Sequence, residues 1–245
     1  YAAAATALAR VAPQSVLPPE RVGIANPERR SLVVLLHGLN GQPADMEQHC
    51  QALRGEHAVH CPLVRDHGNC TLDQASESVM RAIAGHVARH GDGAPVALIG
   101  VSNGGRIAAH AECLMRERHP HNPVFLSPVV APLLGTRTLD WLGPVVQFAR
   151  IYGQAPVDEM RYGSARSRQL LADLCRDNVQ GPRRFVFFAA AHDMLVQPYT
   201  AALPHIGKGE EHVTLLEHGH VSALRAARAR QCAEWHAFIA SLPPS

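Results

Sequence analysis

The chain of 245 residues has almost no net charge to offer: 23 basic and 21 acidic side chains leave a formal +2. That balance gives no general electrostatic handle for nucleic acid, which is not expected as a partner. No apolar run approaches the roughly 20 residues that cross a bilayer, so a soluble chain is expected. The cysteines at 50, 61, 70, 113, 175 and 232 contain no C-x-x-C pair, against a zinc knuckle or a thioredoxin-like redox site. Most read as small core residues, with a loop disulfide between Cys61 and Cys70 left open. There is no internal repeat. Tyr1 to Leu8 is alanine-rich without a basic start, which is no complete signal peptide and reads as a processed chain or an excised domain. The cellular compartment is not legible.

What is present is a 47% hydrophobic share, enough for one domain with a sizeable core. Residues 1–30, with four prolines and little periodicity, read as a short alanine-rich helix and an extended lead-in; 31–245 reads as the domain. Leu32 to Leu36 and Val96 to Ile99 are apolar without alternation, as central parallel strands covered on both faces would be. Ala58 to Cys61, Pro123 to Ser127, Phe185 to Ala189 and His212 to Leu216 read as further strands. Helical stretches fall at about 43–53, from Thr71 or Asp73 to His90, at 106–118 and at 222–240. Strands alternating with helices predict an α/β fold with a mostly parallel sheet of about six strands. Functional loops then gather at the carboxyl ends of the strands.

At one such end Gly100-Val101-Ser102-Asn103-Gly104 fits G-x-S-x-G, a tight strand-to-helix turn that lifts a serine above the sheet edge. The competing phosphate-loop pattern fails, because Arg106 replaces its lysine and Ile107 its hydroxyl. At a second end His37-Gly38-Leu39-Asn40-Gly41 could supply an oxyanion donor from Leu39, beside one from Asn103; an ordinary turn packed by His37 is the bland reading. Asp193, just past the Phe185 to Ala189 strand, is a candidate to orient a histidine, against an ordinary turn aspartate. Of His218 and His220 after the last strand, His220 is preferred as base because it lies further out on the loop. His86 and His90 share a helix face with no third metal ligand in view, and read as a solvated face. His110-Ala111-Glu112 lacks the rest of a zinc deaminase signature. No metal or other cofactor is expected.

Residues from about 131 to 180 break the rhythm and read either as a cap or lid over the site or as helices completing the core. Trp141, Leu142, Val145 and Phe148 give the stretch an apolar side suited to an acyl chain. Arg161, Arg166, Arg168, Arg183 and Arg184 could meet an anionic head group at a membrane surface, or form a solvated basic face.

The order Ser102, Asp193, His220 is that of α/β-hydrolases, and the chain resembles that superfamily. From Leu32 to Ala109 it is similar to the serine esterase, or lipase-like, branch that includes glycosylphosphatidylinositol inositol-deacylase relatives. The likeness rests on Leu35-Leu36-His37-Gly38-Leu39-Asn40-Gly41, Ala44-Asp45-Met46 and Leu98 to Gly105, with Val101 and Asn103 differing from the branch's usual G-H-S-x-G-G. The resemblance implies a serine hydrolase with Ser102 as nucleophile; carboxyl-ester hydrolysis is the leading reaction, with lipid or phospholipid acyl esters favoured by the apolar stretch from 139 to 152. Thioester deacylation of a protein or carrier, and a non-catalytic binding module on the same fold, are the alternatives.

Overall fold

The computed structural model describes residues 23–142 and 153–243. All six expected strands are present: β1 (Leu32–Leu36), β2 (Ala58–His60), β3 (Val96–Val101), β4 (Val124–Val129), β5 (Arg183–Ala190) and β6 (Glu211–Leu215). They form one sheet in the order β2-β1-β3-β4-β5-β6, parallel at each pairing. The helices among the described residues are α1 (Glu47–Leu53), α2 (Leu72–His90), α3 (Asn103–Arg118), α4 (Thr138–Leu142), α5 (Gln154–Met160), α6 (Ala165–Cys175) and α7 (His220–Ser241). None is long and apolar enough to cross a membrane.

The unbroken apolar runs have a direct cause. Successive strand side chains point to opposite faces, and here both faces are covered. Leu32, Val34, Leu36, Leu98, Leu126, Phe185 and Phe187 pack with Val79, Ile83 and Met80 of α2 and Ile107 and Met115 of α3. The intervening Val33, Leu35, Ala97, Ile99, Phe125, Val186 and Phe188 pack with Leu53 of α1 and Trp235 and Phe238 of α7. Chain order reverses between adjacent β1 and β3, so the topological switch point lies where their carboxyl ends meet. Those ends are the His37 to Gly41 loop and the Ser102 turn.

Several expectations need adjustment. Residues 43–53 divide into a tight turn, Pro43–Met46, and α1. α3 begins at Asn103, three residues before the expected start, because the glycines after Ser102 are already helical. His220 is the first residue of α7 and not a loop residue. The lead-in reaches the sheet through a two-way antiparallel bridge between Ala25 and Val59; residues 1–22 lie outside the described part. His86 is not on a solvated face: it is buried with Nε2 2.8 Å from Arg30 O. Cys61 and Cys70 are free thiols, each directed at a backbone carbonyl, of Pro43 and Arg65.

The five arginines make no common basic face. Arg183 is buried with Arg116 around Glu112, which also accounts for Glu112 of the deaminase-like triplet. Arg184 pairs with Glu211 and Glu234, Arg161 with Asp140 and Asp158, and Arg166 with Asp73. Arg168 donates to the Gly163 carbonyl.

Candidate active site

Ser102 sits at the sharp junction of β3 and α3 with φ 54° and ψ −124°, a backbone state that L-residues avoid at a cost of roughly 1–3 kcal/mol. The neighbouring residues hold it there. A Cβ on Gly100 would fall 2.3 Å from Gly104 O, and one on Gly104 would fall 2.3 Å from Leu36 O. Only glycine lets the helix start this close to both strands. Ser102 N is held by Val129 O of the adjoining strand at 2.9 Å. The hydroxyl itself makes no hydrogen bond among the described residues, and the side chain is half-buried.

The β1 loop lies directly alongside. A Cβ on Gly38 would come 3.4 Å from Ser102 Cβ and 4.0 Å from its Oγ. His37 is buried and fixes the loop: Val64 N–H donates to its Nε2 at 3.1 Å, so the proton is on Nδ1, 2.8 Å from Gly38 O. Burial pushes the His37 pKa down, keeping the ring neutral as that arrangement requires. A second loop, residues 65–68, braces the first. Asn40 N donates to His67 O at 2.8 Å, and His67 Nδ1 lies 3.0 Å from Gly41 O. Asp66, His67 and Gly68 all have positive φ there.

Leu39 and Asn103, the expected oxyanion donors, flank this brace. Asn103 turns its side chain towards Gly68 O at 3.4 Å, leaving a backbone N–H at the first turn of α3, where no intrahelical acceptor exists. The Leu39 N–H makes no hydrogen bond among the described residues.

Asp193 and His220 meet across 27 residues. His220 Nδ1 lies 2.8 Å from Asp193 Oδ2, and the carboxylate is buried to 1% exposure. Asp193 Oδ1 accepts from Leu195 N and Val196 N, both at 2.8 Å, so the aspartate is a turn residue and a histidine partner at once. His218 takes a different path: its Nδ1 faces Ser222 Oγ at 3.2 Å and its carbonyl accepts from His192 N. The geometry therefore separates the two histidines that the sequence leaves in competition.

Around the expected lid, α4 to α6 follow β4. Leu139, Val157 and Met160 form a small apolar cluster against Leu39. Val145 and Phe148 lie outside the described residues; Trp141 and Leu142 end α4, and nothing is described of their side chains.

Sequence reasoning missed several supports. Arg106, weighed only as a failed phosphate-loop lysine, is buried and donates to Pro132 O (2.6 Å), Ser167 Oγ (3.0 Å) and Glu159 O (3.0 Å), tying α3 to α5 and α6. Burial lowers its pKa to about 10, so it remains charged at neutral pH. Thr136 Oγ1 donates to Leu195 O and accepts from Gln197 N, stitching the segment after β4 to the Asp193 turn. A charged residue directly after the Gly104-Gly105 pair is the only local signal, and it does not reveal partners 26 to 61 residues away.

No protein-family model matches the chain, and no curated protein matches it in sequence. Solved structures match in fold. One described as LipS and LipT, two metagenome-derived lipolytic enzymes, superposes with a TM-score of 0.64 at 17% identity, over 93% of this chain and 100% of that one. The peroxisomal α/β-hydrolase Lpx1 of Saccharomyces cerevisiae gives 0.59 at 13%, over 89% and 79%. Aspergillus fumigatus lipase B gives 0.58 at 15%, over 87% and 55%. Identities this low carry the fold alone.

Proposed function

On the α/β-hydrolase fold that this chain adopts, we propose a serine hydrolase that cleaves carboxyl esters through an acyl-enzyme, with Ser102, His220 and Asp193 as its triad. The observation that carries this reading is the Asp193–His220 contact of 2.8 Å, made at the same sheet edge as a strained serine. Asp193 holds the proton on His220 Nδ1, which leaves Nε2 as the base. Ser102 Oγ attacks the acyl carbon as Nε2 takes its proton, and the carbonyl oxygen becomes an anion. The N–H groups of Leu39 and Asn103 receive that charge, each such donor being worth about 3 kcal/mol in the transition state. Collapse expels the alcohol, protonated by His220, and water repeats the sequence to free the acid.

Lipid or phospholipid acyl esters are the favoured substrates, with α4 and α5, whose buried Leu139, Val157 and Met160 pack beside Leu39, as the described part of the cap. That LipS and LipT are lipolytic enzymes, and the Aspergillus protein a lipase, agrees with that substrate class.

The test compares wild type and Ser102→Ala on short p-nitrophenyl esters, acyl thioesters and phospholipids, with a fluorophosphonate probe on both. Wild type should label at Ser102 and hydrolyse esters; the variant should retain its circular dichroism and lose both. Hydrolysis that survives in Ser102→Ala removes the assignment, and a folded wild type that neither labels nor hydrolyses points to a binding module.

A further inference from the structure

At the end of the sheet remote from Ser102, Glu56, His57 and His236 come together, one ligand atom from each lying within 4.8 Å of the other two. His57 immediately precedes β2, and His236 lies on α7 sixteen residues beyond His220, about 24 Å along the helix. The imidazole of His57 is 4% exposed and stacked on that of His236, centroids 5.4 Å apart. Its Nδ1 lies 2.7 Å from Ser31 Oγ, while Nε2 is sealed from solvent and has no hydrogen-bond partner among the described residues.

That orphaned atom calls for an explanation. A buried N–H without an acceptor is the rarer and costlier state, so the proton belongs on Nδ1, donated to Ser31, and Nε2 presents a bare lone pair. A metal-binding imidazole has this arrangement: the outer nitrogen's proton is held by an oxygen and the inner nitrogen faces the cation. We propose that His57, His236 and Glu56 bind one divalent cation of the zinc class, with water completing a tetrahedron. Two imidazoles and a carboxylate are ligands this cation accepts, at about 2.0–2.2 Å each. Reaching those distances requires inward movement of the ligands. The side chains of Glu56 (73% exposed) and His236 (42% exposed) are free to supply it, whereas packing holds His57. The ion would pin α7 to the segment ahead of β2.

The described residues contain one other grouping of this type, His205, Glu210 and His212, but its donors are already used. Glu210 accepts from the amides of Ile206, Gly207 and Lys208, and His212 Nε2 faces Pro204 O at 2.9 Å. That group serves as the control.

The experiment titrates Zn²⁺ into tag-free full-length protein by calorimetry, records visible absorption with Co²⁺, and follows Tm. Wild type should bind one ion, show tetrahedral Co²⁺ bands and gain thermal stability. His236→Ala and Glu56→Gln, at exposed positions that the fold tolerates, should each weaken zinc binding by more than about tenfold, and Ser31→Ala by about tenfold. His205→Ala should change nothing. No zinc uptake at micromolar concentration, affinity unchanged in His236→Ala, or affinity lost in His205→Ala overturns the proposal. The readout is metal binding and not hydrolysis, so its outcome is separate from that of the serine hydrolase reading.

Discussion

Asp193 concentrates the chemistry of the site in one carboxylate. One oxygen closes its own turn through Leu195 and Val196, and the other faces His220. Asp193→Asn should preserve the turn, because the amide oxygen still accepts both N–H groups. It would present an NH₂ group to His220 Nδ1 and force the proton to the wrong nitrogen. We expect ester hydrolysis to fall on the order of 10³- to 10⁴-fold with Tm little changed. In the same assay, His220→Ala should be as severe, and His218→Ala should cost less than about threefold because it bonds only Ser222 and backbone. Equal losses in the two histidine variants would remove the assignment of His220. The serine was legible from sequence because its constraint is local: Gly100 and Gly104 lie within two residues of it and admit no Cβ. The choice between His218 and His220 was not legible, since both follow β6 at similar spacing and only the position of the β5 turn distinguishes them.

At the scale of elements, α3 begins directly after Ser102, the proposed nucleophile, and carries Arg106 one turn later. The Arg106 guanidinium has two carbonyls and a hydroxyl as partners, from the segment after β4 and from α5 and α6. Arg106→Met removes these bonds while keeping much of the volume, and leaves buried oxygens unpaired, at a cost of about 2 kcal/mol. Amide exchange across 154–175 should rise, while α2 and β1 stay protected. Unchanged exchange across 154–175 would show that Arg106 does not anchor α5 and α6. The strands were readable because burial on both faces removes alternation, a pattern imposed within each strand. Residues 131–180 were not, because the helices described there are short and their apolar residues divide between a small cluster at Leu39 (Leu139, Val157, Met160) and the main core (Leu170, Leu174).

At the scale of the whole molecule, burial lowers the pKa of several histidines, among them His37, His49, His60, His86 and His110. His110 is the sharpest of these five. Desolvation, with Arg166 beside it, lowers its pKa from 6.5 to about 4 against the opposing pull of Asp73 and Asp173. The unfolded chain therefore binds more protons than the folded one between these values, and stability rises with pH across that interval. Urea denaturation should show full stability above about pH 6.5 and a progressive loss down to about pH 4, with His110 alone accounting for roughly 3 kcal/mol. A flat stability profile from pH 7 to 5 would contradict these buried neutral rings.

By itself the sequence determined the alternation of strands and helices, the elbow at Ser102 and the order of serine, aspartate and histidine. These follow from side-chain period and backbone sterics acting over a few residues. The tertiary structure decided which histidine meets Asp193, that the arginines are taken up by carboxylates and carbonyls, that His86 and His110 are interior, and that His57 meets His236 from far along the chain. Such meetings depend on how the sheet orders its strands and which face each helix covers, which no local pattern encodes.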